Sequence, residues 1–167
     1  MREFGRGVRL GVDVGQVRVG VAACDPDTIL ATPVETLARD RSVSYVAGGK
    51  VPSVLPTDIE DLREIAEERL AVAVYVGLPK HLSGARGVSA EMAVNYASLV
   101  QRVLPHLEVR LVDERLTSKT AHSALHDAGR RAREHRTVID QAAAVVILDT
   151  ALEAEKRLGS WAGESVE

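Results

Sequence analysis

Four acidic residues stand at the ends of segments whose composition is otherwise typical of a buried core. Two of these segments are strand-like apolar runs at 8–14 and 109–112, and the third is the last predicted helix. A carboxylate in such a place needs a partner, because an unpaired charge is costly in an apolar interior. The residues that predict a metal site are Asp13, Asp113, Glu114 and Asp140.

Carboxylates from two strands and one helix favour divalent cations that prefer hard oxygen ligands, Mg²⁺ or Mn²⁺. With two such ions roughly 3.5 to 4 Å apart, one activates water and the other stabilises the leaving oxygen of a phosphodiester. Such a site hydrolyses its substrate without a protein nucleophile. The sequence offers no competing serine or cysteine triad, and its five histidines show no zinc-binding spacing on a shared face.

The two strand-end sites each have a structural alternative. Asp13 is also typical of a turn residue, although Gly11 on the same strand face favours space for a bulky polar occupant. Asp113 and Glu114 point to opposite faces while the strand stays extended, so we expect only one of them to join Asp13. The other is expected to hold Arg115 or to cap the next helix.

Asp140 has the strongest structural alternative. It is the third residue after Thr137, in the first turn of the predicted helix, where a carboxylate stabilises the helix N-terminus. Helical spacing also aligns it with an apolar face whose two alanines let the helix lie close to the sheet, formed by Ala143, Ala144 and Ile147. The two roles are compatible, and we expect Asp140 to be a metal ligand.

Basic residues cluster immediately before Asp140. The segment 129–136 is interpreted either as a solvated loop or as a rim that grips phosphates, since arginine forks bind phosphate well. Few aromatic residues are available for base stacking, so backbone shape is the expected target. The candidate nucleic-acid-binding residues are Arg18, Lys80, Arg86, Arg115, Arg130, Arg131, Arg133 and Arg136.

The order of predicted elements is a three-strand hairpin meander followed by helix, strand, helix, strand and two helices. The strands are predicted at 10–14, 18–24, 29–37, 71–76 and 109–113, and the helices open near Thr57, Gly87, Thr117 and Thr137. Glycines and prolines at 39–56 indicate a loop or insertion, to which the sequence assigns no function. This order predicts an α/β fold, a mixed β-sheet of an antiparallel meander and parallel strands flanked by α-helices.

Length and composition favour one domain over 1–158 with a polar, flexible tail at 159–167. The 167 residues are 46% hydrophobic and carry a formal charge of −3, which excludes a uniformly basic nucleic-acid binder but allows a local basic patch. The one cysteine, Cys24, excludes an internal disulfide and is expected to pack within a strand. No stretch has the apolar length of a membrane span or signal peptide, so we expect a cytoplasmic protein.

Four segments together resemble the YqgF family, also called RuvX, of small bacterial nucleases in the ribonuclease H-like superfamily. In chain order they are LGVDVGQVRVGVA from Leu10, VGLPKHLSGARG from Val76, VDERLTSKTA from Val112 and IDQAAAVVIL from Ile139. The resemblance implies a ribonuclease H-like fold whose catalytic metals are bound by Asp13, by the Asp113 and Glu114 pair, and by Asp140. It also implies that Arg18 and the 77–87 loop lie near the substrate.

The resemblance further implies a metal-dependent nuclease. Two substrates are proposed for the family, the 5′ end of precursor 16S ribosomal RNA and four-way DNA junctions, and kinship favours the ribosomal role. Junction cleavage requires a symmetric dimer with two active sites, so the expected partners are nucleic acid and, at most, a second copy of the chain.

Two other classes stay open at this point. Actin-like kinases and ATPases share an Asp-x-Gly turn on a first hairpin, but they need two such domains and 167 residues supply one. A non-catalytic module, with structural carboxylates and an arginine segment that docks RNA or a protein, would bind without metal and without cleavage.

Overall fold

The computed structural model describes residues 2–79, 87–114 and 132–166, and of residues 132–139 the backbone alone. The elements in chain order are β1 Val8–Val14, β2 Arg18–Cys24, β3 Ala31–Ala38, α1 Thr57–Glu68, β4 Ala71–Leu78, α2 Val88–Val103, β5 Glu108–Asp113, α3 Ala132–Leu158 and β6 Glu164–Ser165. The helix predicted near Thr117 lies outside the described residues. Among these elements, no helix has the length and apolar character needed to cross a bilayer.

The described strands form one sheet in the order β3-β2-β1-β4-β5-β6. The meander β1, β2 and β3 is antiparallel, β4 and β5 run parallel to β1, and β6 pairs antiparallel with β5. Because β1, β4 and β5 point the same way, their carboxyl ends meet at one edge of the sheet. We call it the carboxyl edge. Asp13 and the Asp113 and Glu114 pair lie there, and the predicted mixed α/β fold is confirmed.

Helices cover both faces of the sheet. On one face α1 and α2 pack against residues such as Leu10, Val12 and Val74, and on the other α3 packs against Ala22 and Tyr75. Every residue of β4 is buried, as expected for a strand covered on both sides. Cys24 is also buried, in β2 as predicted.

The helix α3 begins earlier than the sequence pattern indicated. Its backbone is already helical at Ala132, so the prediction that Thr137 opens this helix is wrong. Asp140 therefore lies in the third turn, and the helix N-terminus does not explain a carboxylate there. The reason is that alanine, arginine and glutamate at 132–134 favour a helix, which outweighs the capping tendency of Thr137.

The segment after α3, whose polar composition predicts a flexible tail, contains two buried residues. Trp161 and Ala162 are buried, and the indole N–H of Trp161 donates to the carbonyl of Arg2 at 2.9 Å. The guanidinium of Arg9 lies 4.9 Å from the Trp161 ring centre, a cation–π contact. A single large aromatic residue and one strand pairing thus anchor a segment of otherwise polar composition.

Candidate metal and catalytic site

Asp13 and Asp140 approach each other because a glycine lets α3 lie directly on the sheet. Asp13 pairs across the hairpin with Gly20 of β2. A Cβ atom at Gly20 would collide with the backbone carbonyl of Asp140. The missing side chain therefore allows the third turn of α3 to rest beside the carboxyl end of β1.

Gly11, two residues before Asp13 on β1, also lets α3 lie directly on the sheet. A Cβ there would meet the carbonyl of Ala144 and the side chain of Leu148. The interpretation that Gly11 leaves room for a bulky polar occupant is wrong, since the backbone of α3 fills that space. The prediction that α3 lies close to the sheet is confirmed by the same contacts.

Glu114 reaches Asp13 by crossing the strand between them. Since neighbouring strands are about 4.8 Å apart, β5 and β1 are separated by roughly 10 Å, with β4 in between. On β4, the space that a side chain at Gly77 would fill holds the Glu114 carboxyl and the end of Ile147. Glu114 thereby extends over Gly77 and shares a hydrogen bond with Asp13.

Burial and mutual repulsion favour protonation of this pair. Burial, the charge of Asp13, the shared hydrogen bond and the charge of Asp113 together raise the pKa of Glu114 to about 8. Burial also raises the pKa of Asp13, partly offset by the hydrogen bond from Glu114 and reinforced by the charge of Asp140. Two desolvated carboxyls that share a hydrogen bond form a site that attracts a compact cation.

Asp140 is held by an ion pair with Arg18, the first residue of β2. The Arg18 Nε lies 2.8 Å from Asp140 Oδ2, and the two side chains are 33% and 19% exposed. Arg18 therefore lies at the rim of the carboxylate group, as its expected place near the substrate requires. Its predicted contact with nucleic acid stays a prediction.

Asp113 and Glu114 are directed to different faces, as the extended strand predicts. Val112 packs in the core under α3 and Leu111 in the core under α1 and α2, so strand alternation assigns Asp113 to the latter face. The structure brings Asp13, Glu114 and Asp140 together. Asp113 acts on the group through its charge, which raises the pKa of Glu114.

The predicted basic surface is only partly within the described residues. Positions 133 and 136 belong to the helical backbone of α3, so the segment before Asp140 is not wholly the loop that was one interpretation of it. The side chains of Arg133 and Arg136 are not described. Outside the described residues lie Lys80, Arg86, Arg115, Arg130 and Arg131.

Sequence reasoning missed the contribution of Gly20 and Gly77. Both are interior strand residues, and glycine inside a strand often marks the close approach of another backbone or group. That signal was present in the sequence, but it does not say what approaches. The partners, Asp140 and Glu114, are known only from the structure.

The three carboxyl groups fit a divalent cation in chemistry. They supply only hard oxygen donors, and burial raises the pKa of both Asp13 and Glu114, so that a metal ion would compete with a proton for Glu114. Among the described side chains, no three acidic, histidine or cysteine residues are already spaced to surround an ion. Asp13, Glu114 and Asp140 would hold the ion, although Asp140 Oδ2 is at present paired with Arg18 and Glu114 with Asp13.

Comparisons with known proteins identify the family of the chain. A family model described as "RuvX: Holliday junction resolvase" matches residues 7–154. A relative from Nocardia farcinica is 48% identical over 162 residues, covering 96% of this chain and 86% of its own length. One from Streptomyces avermitilis is 45% identical, covering 97% and 96%. Both are named "Putative pre-16S rRNA nuclease".

A solved structure gives independent support for the fold. The RuvC protein of T. thermophilus, determined in complex with a Holliday junction substrate, superimposes with a TM-score of 0.52. The alignment covers 93% of this chain and 98% of RuvC at 14% sequence identity, so it bears on the fold alone. The ribonuclease H-like fold implied by the four sequence segments is confirmed. The chain belongs to the RuvX family.

Proposed function

We propose that this protein is a divalent-metal-dependent nuclease of the cytoplasm that processes the 5′ end of precursor 16S ribosomal RNA. The observation that carries the proposal is the convergence of Asp13, Glu114 and Asp140 at the carboxyl edge of a RuvC-like sheet. Membership of a nuclease family supports phosphodiester hydrolysis, and the names of the relatives support the ribosomal substrate.

The chemistry follows from the surroundings of each group. Mg²⁺ or Mn²⁺ at these carboxylates would supply the activation of water and the stabilisation of the leaving oxygen. Asp13 and Glu114 provide two buried carboxyl groups that share a hydrogen bond at the carboxyl edge. Arg18, once released from Asp140, is placed to pair with a phosphate oxygen of the substrate.

Contacts with the nucleic-acid backbone are assigned to the predicted basic residues. Most of them follow β4 and β5 or precede Asp140 in sequence, and this order is the basis of the assignment. They would bind phosphates without regard to sequence, and that binding should weaken as salt concentration rises. The residues are Arg18, Lys80, Arg86, Arg115, Arg130, Arg131, Arg133 and Arg136.

Cleavage of four-way DNA junctions is the second candidate. The description of the matching family favours it, since that description names Holliday junction resolution. A resolvase needs a symmetric dimer that presents two active sites. A monomer in solution would therefore favour the ribosomal substrate.

The test compares the parent protein with Asp13→Asn on three substrates: precursor 16S RNA, a four-way DNA junction and a control duplex. Each is incubated with Mg²⁺, with Mn²⁺ or with EDTA. We expect cleavage of the RNA only with metal, and a loss of at least about a hundredfold in the variant, because the substitution removes a charged ligand. Melting temperature and RNA affinity in EDTA should change little, which shows that the variant is folded.

Three results would contradict the proposal. Undiminished cleavage by Asp13→Asn would remove the carboxylate site from the mechanism. Cleavage of the junction alone would transfer the function to the second candidate. Binding without cleavage under every metal condition would indicate a non-catalytic module.

A further inference from the structure

A pocket of about 460 Å³ opens between the loop after β3 and the first half of α2. We call it the loop pocket. Its walls include Arg41, Ser44 and Tyr45 from the loop and Val88, Met92 and Asn95 from α2. Its volume falls within the range of sites for small ligands. The loop belongs to residues 39–56, to which the sequence pattern assigned no function.

Hydrogen bonds to α2 hold the loop side of the loop pocket in place, although the loop contains no helix or strand. The backbone N–H of Ala47 donates to Asn95 Oδ1 at 2.9 Å, and the Arg102 guanidinium donates to the carbonyl of Val46 at 3.2 Å. Because both anchors are on α2, the two walls of the loop pocket keep a fixed spacing. The site is preformed.

Arg39 connects the loop pocket to the hairpin that carries Asp13. Its Nη1 donates to the carbonyl of Gly15 at 2.8 Å, and Nη2 donates to the Tyr45 hydroxyl at 3.4 Å. Its Nε lies 3.6 Å from Asp58, beyond hydrogen-bond distance, and the guanidinium lies over the Tyr96 ring. Arg39 is only 10% exposed and also lines the pocket, so the pocket and the hairpin turn share a rigid side chain.

The loop pocket borders the same edge of the sheet as the carboxylates. Gly15 is two residues beyond Asp13, or about 7 Å along an extended chain. Asp13 and Glu114 lie on the α3 face of the sheet, whereas the pocket lies on the side of α1 and α2. A nucleic-acid strand that crosses this edge beside the β1–β2 turn would therefore pass both Asp13 and the loop pocket.

The lining suits an unpaired base attached to a phosphate. Tyr45 and Arg41 supply planar groups of the kind on which single-stranded bases stack. Val88 and Met92 add apolar surface, and Asn95 adds an amide for hydrogen bonding. Arg41 makes no ion pair or hydrogen bond with the described part of the chain, so its charge is available to a phosphate.

The loop pocket also has two acidic residues in its lining, Asp40 and Glu91, which match the number of its arginines. The Asp40 carboxylate accepts hydrogen bonds from the Ser42 side chain and from the backbone N–H of Thr57, which lowers its pKa. Glu91 contributes an exposed acceptor at the rim. We propose that the loop pocket binds one unpaired nucleotide of the substrate strand beside the cleaved bond, an inference that rests on the proposed nuclease function.

The test fills the loop pocket with a large side chain. RNA binding is then measured without metal, so that no cleavage occurs. Ser44→Trp places an indole in the pocket, and Ser53→Trp is its control, because Ser53 is an exposed serine of the same loop outside the lining. Affinity is measured in EDTA by fluorescence anisotropy, with a labelled single-stranded RNA that spans the 5′ processing site. We expect Ser44→Trp to bind about tenfold more weakly than the parent, the loss of one stacked base. Ser53→Trp should bind as the parent does, with equal melting temperatures for all three proteins.

A set of RNAs, each lacking one base, identifies the bound nucleotide. For the parent, one abasic position should weaken binding about tenfold, and Ser44→Trp should lose nothing further on that RNA. Equal affinities of the Ser44 and Ser53 variants for every RNA would overturn the inference while leaving the proposed nuclease intact. Failure of the parent to bind any of the RNAs would overturn both.

Discussion

Asp113 and Glu114 are neighbours in sequence, but their carboxyl groups have different surroundings. Glu114 crosses Gly77 and shares a hydrogen bond with Asp13, whereas Asp113 belongs to the opposite strand face. Either residue satisfies the sequence pattern of a strand-end carboxylate. Of the two, only Glu114 contacts Asp13, so we propose Glu114 as the residue that would share a cation with it.

Removing each charge in turn separates the two residues. Glu114→Gln should lower the single-turnover cleavage rate by at least about a hundredfold, because it removes a direct ligand, and should weaken metal binding measured by calorimetry. Asp113→Asn is the matched control, and we expect it to cost less than about tenfold. A larger loss from Asp113→Asn would assign the ligand role to the other residue.

The raised pKa of Glu114 makes the stability of the metal-free protein depend on pH in a specific way. The pKa of Glu114 is about 8 in the folded chain against an ordinary value of 4.5, so between these pH values the folded state binds more protons than the unfolded state. The free energy of unfolding contributed by this group therefore falls as pH rises from about 5 to 8. Glu114→Gln lacks this titration and should gain on the order of 2 kcal/mol relative to the parent over that interval.

Chemical denaturation in EDTA at several pH values measures this difference. Glu64→Gln, which changes an exposed glutamate of α1, serves as the control and should follow the parent at every pH. A constant difference between Glu114→Gln and the parent would show that Glu114 is ionised in the folded protein throughout. The pH profile thus reports on the buried pair without any need for metal or substrate.

At the scale of elements, the site depends on the close approach of a helix and a side chain to glycine positions. Gly20 admits the backbone of α3, and Gly77 admits the side chain of Glu114. The first contact sets the position of Asp140 relative to β1. The second lets Glu114, which follows β5, reach Asp13 on β1, two strands away in the sheet. Neither glycine carries a functional group, so their effect is entirely geometric.

Gly77→Ala should displace Glu114 while preserving the fold. The added methyl group would overlap the Glu114 carboxyl and the tip of Ile147, both ends of flexible side chains that can rotate away. We expect a loss of about 1 to 3 kcal/mol in stability and a larger relative loss of cleavage. Gly5→Ala, at a position with open space around it, is the control and should change neither. Full activity of Gly77→Ala would show that Glu114 does not need this path.

At the scale of the whole molecule, the two ends of the sheet have separate roles. The carboxyl edge holds the candidate site, and the opposite end holds a buried ion pair of Arg9 with Glu155, whose atoms approach to 2.9 Å. Trp161 covers this pair from the C-terminal segment. Arg9 and Asp13 are four residues apart on β1, roughly 13 Å. The same strand therefore connects the two ends of the sheet, but their side chains do not interact directly.

Trp161→Ala should therefore reduce stability without changing catalysis. Loss of a buried indole and of its cation–π contact is expected to cost about 3 to 5 kcal/mol. Leu158→Ala, which truncates a residue that is 59% exposed, is the control and should cost little. Thermal denaturation measures stability, and the cleavage rate at a temperature where both variants stay folded should equal that of the parent. A lower rate in the folded Trp161 variant would indicate coupling between the two ends.

The sequence by itself determined the elements and the chemical nature of the site. Alternation along β1, the uniformly apolar β4 and the helical stripe of α2 are local patterns that burial imposes on any chain with this fold. Carboxylates at the ends of apolar elements also stand out locally, which is why Asp13, Asp113, Glu114 and Asp140 were recognised as candidates before any geometry was known.

Only the tertiary structure decided how these parts meet. That Glu114 and not Asp113 faces Asp13, that Gly20 and Gly77 make the approach possible, and that Arg18 holds Asp140 all depend on pairs of residues far apart in the chain. The same holds for Trp161, whose burial the polar composition around it conceals. Local patterns encode which face of an element is buried, whereas the distance between two side chains on different elements is fixed only by packing.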